Sequence, residues 1–351
     1  MLMVYGKMLQ TNIDLDSVPV SSFGTNDFLT YFERYLAELL VQLDSPVIDF
    51  ARHVVLSSGK RIRPLLCFCC GSNKPGITPD LLKASAILEL VHVATLVHDD
   101  IIDESDLRRG TSTLHSFAGD HTSILVGDAL FSFALELATD FPTTKICKIV
   151  AKATRLTCSG EILQTSSRGD FTIPREDYFC FLQYKTGELF KASCQLGAEL
   201  AGHSKQDIEL VGEFGLELGI CYQIFDDLVD AFGFPDIVDK PTGADTNTGK
   251  ITLPLLLLLE SVSHSEKLFL VNILKNDTVA SNKDLFVNLF EKYLILNKCK
   301  DEFHSNFSKI QNLVHSLSDK SLATNLLSFL SFFTSKISAL ESLNTRNFLA
   351  N

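Results

Sequence analysis

Two short groups of aspartates are the residues whose type and spacing best indicate chemistry. The first group is Asp99, Asp100 and Asp103, and the second is Asp226, Asp227 and Asp230. In each group the first and last members are four residues apart, so in a helix they project from one face. Each group ends an otherwise apolar stretch. The chain is therefore predicted to bring carboxylates to the edge of its core.

These carboxylates predict a Mg²⁺ site. Like charges about 4 Å apart repel by roughly 1 kcal/mol in water and roughly 4 kcal/mol at an effective dielectric near 20, and a helix dipole disfavours anions at its C-terminus. Oxygen ligands with no Cys or His complement suit Mg²⁺, which binds through a few carboxylates plus substrate phosphates. One such group alone could equally be a set of solvated surface carboxylates. Two such groups, each at the end of an apolar helix, favour metal binding.

Several basic segments accompany the aspartates. They are GKRIRP (59–64), Arg108-Arg109-Gly110, Lys185-Thr186-Gly187, and the pair Lys240 and Lys250. The chain has a net charge of −12 and would repel a diphosphate as a whole, so binding needs local positive charge from Arg, Lys and metal. Any one segment could be an ordinary surface charge. Their proximity to the aspartates predicts an anion site.

The elements that position these residues are predicted to be helices. Apolar residues recur with helical periodicity at 26–43, 46–57, 79–103, 120–140, 145–167, 174–201, 204–232 and from 253 to 337, while Gly and Pro mark loops at 71–79 and 233–249. Segment 81–98 is apolar almost all round and is predicted to be central. Ser45-Pro46 and Thr78-Pro79 are predicted helix starts with a hydroxyl N-cap before the proline. Ser204–Asp207 is predicted to form a variant capping box before another helix. We expect an all-α fold, with a loose arm over 1–25 and one helical domain over 26–351.

Three glycines in segment 204–232 have two possible explanations. Gly212, Gly215 and Gly219 lead along the helix to Gln223 and Asp227, although each glycine costs a helix interior about 1 kcal/mol relative to Ala. Either another helix packs closely against this stripe or a ligand needs the room.

Composition narrows the classes of partner and compartment. The 351 residues are 46% hydrophobic and carry the net negative charge noted above, which argues against nucleic acid and anionic membrane surfaces. The nine cysteines are scattered, and Cys67 and Cys70 stand in an apolar run that is typical of packed thiols. With no recognisable secretory signal and no long apolar run, the expectation is a cytoplasmic protein without a membrane span.

The motifs resemble those of a known family, the trans-isoprenyl diphosphate synthases or polyprenyl synthetases. They are GKRIRP (59–64), LVHDDIIDESDLRRG (96–110), GD (127–128), GEILQ (160–164), KTG (185–187), YQIFDDLVD (222–230) and GKITLP (249–254). The resemblance implies a single antiparallel helical bundle around a central apolar cavity, and a homodimer. It also implies a Mg²⁺-dependent enzyme that condenses isopentenyl diphosphate onto an allylic diphosphate of the farnesyl or geranylgeranyl type.

The resemblance implies roles for single residues. The diphosphate of isopentenyl diphosphate would be bound by Lys60, Arg63, His92 and Arg109. Mg²⁺ would be held by Asp99, Asp100, Asp103, Asp226, Asp227 and Asp230, with Asp99, Asp103 and Asp226 clamping the allylic diphosphate. That diphosphate would also contact Arg108, Lys185 and Lys240, with Lys250 near the mouth. Thr186 and Gln223 would face the developing carbocation. Where the family usually has Gly-Lys, this chain has Asp239-Lys240, which weakens the case for Lys240.

Product length in this family depends on the residues below the first aspartate group. Ala94 and Thr95 are small and stand one turn before Asp99, so they predict room for a long product, with Phe131 and Phe133 as candidates for the floor. The alternative for Ala94 and Thr95 is tight helix packing, which leaves a short-chain farnesyl or geranylgeranyl diphosphate synthase open.

Two other classes are kept as alternatives. A terpene cyclase shares the fold and one aspartate motif, but it lacks the GKRIRP site because it binds no second diphosphate. A non-catalytic subunit of a heteromeric synthase usually has eroded aspartate motifs, whereas both motifs are intact here. A linear, longer prenyl diphosphate made by the purified chain alone distinguishes the main prediction from both.

Overall fold

The computed structural model describes residues 25–57, 59–72, 77–108, 110–232, 249–276, 280–341 and 343–345. In the first half of this part, the helices are α1 Thr25–Leu39, α2 Ser45–Val55, α3 Ile62–Gly71, α4 Pro79–Ile102, α5 Leu114–Ala118, α6 Asp120–Thr139 and α7 Thr144–Ser166. They continue with α8 Arg175–Leu182, α9 Glu188–Ala201, α10 Lys205–Phe232, α11 Leu253–Ser261, α12 His264–Asn276, α13 Lys283–Lys292, α14 Ile295–His315 and α15 Lys320–Glu341. The all-α prediction is confirmed.

Three kinds of short element complete the described chain. Leu107–Arg108 (β1) and Thr111–Ser112 (β2) pair as a small antiparallel hairpin, which the sequence did not predict. Leu40–Gln42 and Ala280–Asn282 are 3₁₀ turns. Gln183–Gly187 is a π-helical turn, so the single helix predicted over 174–201 is divided into α8 and α9. Of the loose arm predicted at 1–25, only Thr25 is described, and it begins α1.

The predicted helix starts are mostly present. Thr78 Oγ1 accepts a hydrogen bond of 3.2 Å from the Leu81 N–H, which caps α4. At α10 the N–H of Asp207 donates to Ser204 Oγ at 3.1 Å, as the capping box predicted. The expectation of a hydroxyl cap at Ser45 is wrong, because α2 already includes Ser45 and its cap position is Asp44.

Helix α4 is the centre of the bundle. It packs against α3, α6 and α9, and most of its side chains from Leu81 to Val97 are buried, as its apolar surface predicted. By length and composition, both α4 and α6 could cross a membrane, but 72% of the most apolar window of α4 is buried inside the bundle, against 44% for α6. The composition of α4 is therefore that of a core helix.

The glycine stripe of α10 is explained by close packing. A methyl group at Gly215 would lie 2.6 Å from the carbonyl oxygen of Phe190, and one at Gly219 would lie 2.7 Å from the Cα of Gly187. Helix α10 therefore touches α9 and the π turn backbone to backbone. This contact brings Gln223, one turn after Gly219, next to the π turn.

Candidate active site

One cavity contains residues from both aspartate groups. Its volume is about 400 Å³, and it is lined by Asp99 from the end of α4 and Asp226 from α10. The chain segment before α3 and the π turn contribute further walls, and apolar side chains of α4 and α6 line the interior. Two acidic helix ends therefore face one largely apolar space, as the sequence predicted.

The first aspartates of α4 occupy different electrostatic environments. Burial raises the pKa of Asp99 to about 6, with Glu161 and Asp103 adding to the rise and Lys185 opposing it. Asp100 is buried, and its Oδ1 accepts hydrogen bonds from Arg108 Nε at 2.8 Å and Nη2 at 2.6 Å. The predicted diphosphate contact Arg108 is therefore held at the site by an aspartate of the same cluster.

Asp103, at the C-terminal end of α4, lies between two cations. Its Oδ1 is 2.5 Å from Arg168 Nη2 and its Oδ2 is 2.7 Å from Lys250 Nζ. Burial alone would raise the pKa of Asp103, but Lys250, Lys185 and Arg168 lower it below its ordinary value. Lys250 is buried rather than free at the mouth of the site.

The three aspartates of α10 differ in what they can bind. Asp226 is exposed and faces the cavity. Asp227 is buried, and its Oδ2 accepts hydrogen bonds from the Tyr178 hydroxyl at 2.8 Å and from the Leu253 N–H at 3.3 Å. These bonds join α8, α10 and α11, so Asp227 acts as a structural junction behind the site. Asp230 is half-buried and does not line the cavity.

The residues predicted to bind isopentenyl diphosphate line the same cavity. Lys60, Arg63 and His92 are all part of its wall, and the Arg63 guanidinium lies 4.8 Å from the centre of the Phe190 ring, a cation–π distance. Between them, Arg61 also borders the cavity, but its buried guanidinium is engaged in ion pairs with half-exposed Glu33 and buried Glu89, at 2.6 Å from each. Lys60 and Arg63 are thus held at the cavity by a buried neighbour.

The π turn presents Lys185 and Thr186 to the cavity. Lys185 Nζ forms an ion pair with Glu161 and donates to Gln164 Oε1 at 2.9 Å. The Thr186 hydroxyl donates to Gln223 Oε1 at 3.0 Å. The amide of Gln223 in turn donates to Asp227 Oδ1 at 3.1 Å, so a chain of hydrogen bonds orients Thr186 and Gln223, both of which line the cavity.

Some predicted residues cannot be placed, and others were missed. Arg109 and Lys240 lie outside the described residues. Glu161, Tyr178 and Arg168 contact site residues but were not predicted to do so from the sequence. Glu161 belongs to the GEILQ motif and could have been found there, whereas no local signal identified the other two.

Two of the four residues predicted to shape the product channel line the cavity, and two do not. Thr95 and Phe131 line the cavity. Ala94 is fully buried and, like Phe133, is not part of the lining. Ala94 is therefore a packed core residue, and Thr95 is the small side chain that opens onto the cavity.

The oxygen ligands at the cavity fit a Mg²⁺ ion whose coordination is completed by a bound substrate. No three Asp, Glu, His or Cys side chains in the described part of the chain converge into a ready-made cage. The candidate ligands that line the cavity, Asp99, Asp100 and Asp226, supply only oxygen. Mg²⁺ typically binds one or two carboxylates and takes its other ligands from phosphates and water, so a bound diphosphate is the missing part of such a site.

Comparisons with known proteins agree on one family. A sequence profile described as polyprenyl synthetase matches residues 45–289. The octaprenyl diphosphate synthase of Escherichia coli (strain K12) is 34% identical over 223 residues, which cover 63% of this chain and 69% of that protein. Short-chain isoprenyl diphosphate synthases are also among the relatives.

Solved structures show the same likeness over more of the chain. The heptaprenyl diphosphate synthase of Staphylococcus aureus has a TM-score of 0.82 at 25% identity, covering 92% of this chain and 99% of that one. The polyprenyl synthase of Caulobacter crescentus CB15, crystallised with calcium and isoprenyl diphosphate, has a TM-score of 0.78 at 30% identity, covering 86% and 92%.

Proposed function

Since the chain belongs to the polyprenyl synthetase family, we propose that it condenses isopentenyl diphosphate with an allylic diphosphate in a Mg²⁺-dependent reaction. The predicted prenyltransferase class and the predicted resemblance are confirmed by the family match and by the relatives. The observation that carries the proposal in this chain is that one cavity is lined both by Asp99 and Asp226 and by the cationic group Lys60, Arg63 and His92. Two diphosphates can thus be bound beside one apolar space.

The residues of the cavity divide the work between the two substrates. Lys60, Arg63 and His92 would bind the diphosphate of isopentenyl diphosphate through charge-assisted hydrogen bonds. Asp99 and Asp226 would hold Mg²⁺, which when bound neutralises negative charge that builds on the departing diphosphate. In support of this assignment, a related polyprenyl synthase was crystallised with calcium and isoprenyl diphosphate.

The walls of the cavity would protect and orient the allylic cation. Thr186 and Gln223 present oxygen atoms at the point where the π turn meets α10, and such dipoles stabilise a developing positive charge. Val93, Leu96 and Phe131 supply apolar surface that excludes water from the carbocation. No protein nucleophile is needed, because the double bond of isopentenyl diphosphate attacks the cation and the proton is lost afterwards.

The product is a long-chain polyprenyl diphosphate. Octaprenyl and heptaprenyl diphosphate synthases are among the relatives, and Thr95, one turn before Asp99, places a small side chain in the cavity wall. Replacing Thr95 with Phe is expected to shift the products toward shorter chains, as read by chromatography of the dephosphorylated products. The matched control is Ala94→Ser in the adjacent packed position, which should leave the distribution unchanged. An unchanged distribution for Thr95→Phe would refute this explanation of product length.

The proposed reaction is tested with the purified chain alone. With Mg²⁺, farnesyl diphosphate and isopentenyl diphosphate, we expect a linear prenyl diphosphate longer than the primer. Asp99→Asn should abolish most of this activity, whereas Asp49→Asn, at an aspartate whose side chain is 88% exposed, should retain it. A cyclic hydrocarbon as product would indicate a cyclase. Inactivity without a second, different chain would indicate a non-catalytic subunit.

The outer side of α6 supports the proposal of a homodimer. Ile124, Leu125 and Leu135 are 44%, 67% and 39% exposed on this helix, and exposed apolar patches of this kind mark interfaces. Light scattering after size-exclusion chromatography should give twice the chain mass. Leu125→Glu should shift the protein toward the monomer, and a monomeric wild-type protein would refute the proposal.

A further inference from the structure

Arg168 is a cation beside the site, and none of the family motifs contains it. Neither Arg168 nor Asp103 lines the cavity, but the two side chains are paired. Arg168 lies in the turn after α7, where its Nη2 donates to Asp103 Oδ1 at 2.5 Å and its Nη1 donates to the carbonyl of Ile102 at 3.3 Å. The guanidinium therefore contacts both a candidate Mg²⁺ ligand and an exposed carbonyl at the C-terminus of α4. Both contacts are favourable, since this end of a helix attracts cations.

Arg168 and Lys250 reach Asp103 from two segments that are joined to each other. The Gly169 N–H donates to the Gly249 carbonyl at 3.1 Å, so a main-chain hydrogen bond joins the turn after α7 to the segment before α11. Lys250 takes Asp103 Oδ2 while Arg168 takes Oδ1. Both carboxylate oxygens are thus engaged by cations before any divalent ion is considered.

A divalent cation that binds Asp103 must compete with these contacts. A guanidinium on one oxygen reduces the negative charge that the aspartate offers, and it repels a second cation nearby. The same positive charge attracts a diphosphate. Arg168 should therefore weaken binding of a metal ion on its own and strengthen binding of the anionic substrate.

We propose that Arg168 is a positioning residue of the prenyl transfer site, which holds Asp103 in the cation-free enzyme, competes with divalent cations for that carboxylate and favours the allylic diphosphate. This rests on the proposed function, in which Asp103 takes part in binding Mg²⁺ and the diphosphate. One further observation supports it. The Arg168 Nε is buried and donates no hydrogen bond within the described structure, and a buried N–H of this kind is costly unless an acceptor is supplied. A diphosphate oxygen is such an acceptor.

The test separates metal binding from catalysis. Mn²⁺ binding to the protein without substrate is measured from the electron paramagnetic resonance signal of free Mn²⁺. Arg168→Gln is expected to bind Mn²⁺ about three- to tenfold more tightly than the wild type, the range of a partly exposed charge-assisted contact. The KM for the allylic diphosphate is expected to rise by a similar factor, with a smaller change in kcat. These opposite shifts distinguish positioning from a general loss of structure, which would weaken both.

Two further variants complete the design. Arg155→Gln removes the same charge from an exposed position on α7 and should leave Mn²⁺ affinity unchanged. Arg168→Lys keeps the charge that competes with the metal ion and should keep Mn²⁺ affinity within about twofold of the wild type. Because Lys has no Nε–H, its KM for the allylic diphosphate should still rise, which provides a test if the glutamine variant does not fold. Mn²⁺ affinity in Arg168→Gln that equals or falls below the wild-type value would overturn the proposal. An inactive wild-type protein would refute the proposed function instead, since the Mn²⁺ titration needs no turnover.

Discussion

Arg61 provides the sharpest test of how the chain holds its substrate-binding segment. Replacing Arg61 with Met removes a side chain that is 6% exposed and leaves its partners in place. Nε donates to Glu33 at 2.6 Å, Nη1 to Glu89 at 2.6 Å and Nη2 to the Val55 carbonyl at 2.8 Å. Met fills part of the volume but offers none of these hydrogen bonds.

The expected loss of stability follows from Glu89, the buried partner that Arg61→Met leaves unpaired. The side chain of Glu89 is only 5% exposed, so without Arg61 it becomes an uncompensated charge in the core. Breaking a buried ion pair in this way costs about 3–5 kcal/mol. Arg61 also has a left-handed backbone with φ of 46°, which for a non-glycine residue costs about 1 kcal/mol or more and persists because the ion pairs hold it. We expect Arg61→Met to lower the free energy of unfolding by about 3 kcal/mol or more and the thermal midpoint by roughly 5–10 °C.

The assay is urea unfolding followed by circular dichroism, with two comparisons. Arg34→Met breaks an exposed pair with Glu38 and should cost at most about 0.5 kcal/mol. Adding Glu89→Gln to Arg61→Met should recover about 1 kcal/mol or more, because it removes the stranded charge. A loss below about 1 kcal/mol for Arg61→Met, or no recovery in the double variant, would show that the buried pair does not hold this segment.

Three other outcomes follow from described contacts. Tyr178→Phe removes one hydrogen bond from buried Asp227 and should lower the free energy of unfolding by about 1–3 kcal/mol in urea titrations; no loss would contradict the junction role. Burial tends to raise the pKa of Asp207, but hydrogen bonds from Ser318 and Ser204 lower it below the ordinary value. Asp207 therefore stabilises the fold above about pH 4, and this stabilisation is lost as the pH falls through the folded pKa. Asp207→Asn should thus be less stable than wild type at pH 7, with the gap narrowing on acidification; a constant gap would refute this. Burial raises the pKa of Cys67 to about 12, so mass spectrometry after native alkylation should find exposed Cys158 modified before Cys67, and the reverse order would contradict the packing.

The helical architecture could be predicted because its signals are local. Apolar periodicity, prolines at helix starts and the capping box at Ser204 each depend on residues within one or two turns. The two aspartate groups were equally clear, because four-residue spacing gives both ends of each group the same face. The family motifs then connected these local signals to one site.

Two kinds of feature could not be predicted from the sequence: the direction of each side chain around a helix, and contacts between residues far apart in the chain. Helix α4 is apolar almost all round, so its pattern does not show which way each side chain points. The choice between Ala94 and Thr95, adjacent residues about 100° apart around the helix, needed the structure. Arg168 meets Asp103 across 65 residues of chain, and no spacing rule covers such a pair.

The contact between Gly187 and Gly219 has a consequence for redesign of this protein. It brings together the main chains that carry Thr186 and Gln223, whose side chains share a hydrogen bond of 3.0 Å, so the positions of their two oxygens depend on the packing of these backbones. The apolar residues of the cavity wall could then be substituted to accept other prenyl substrates without moving those oxygens. A methyl group at Gly219 would lie 2.7 Å from the Cα of Gly187 and would push the two backbones apart, while one at Gly187 would first meet the Leu216 side chain at 2.9 Å. Gly219 should therefore stay glycine in every library.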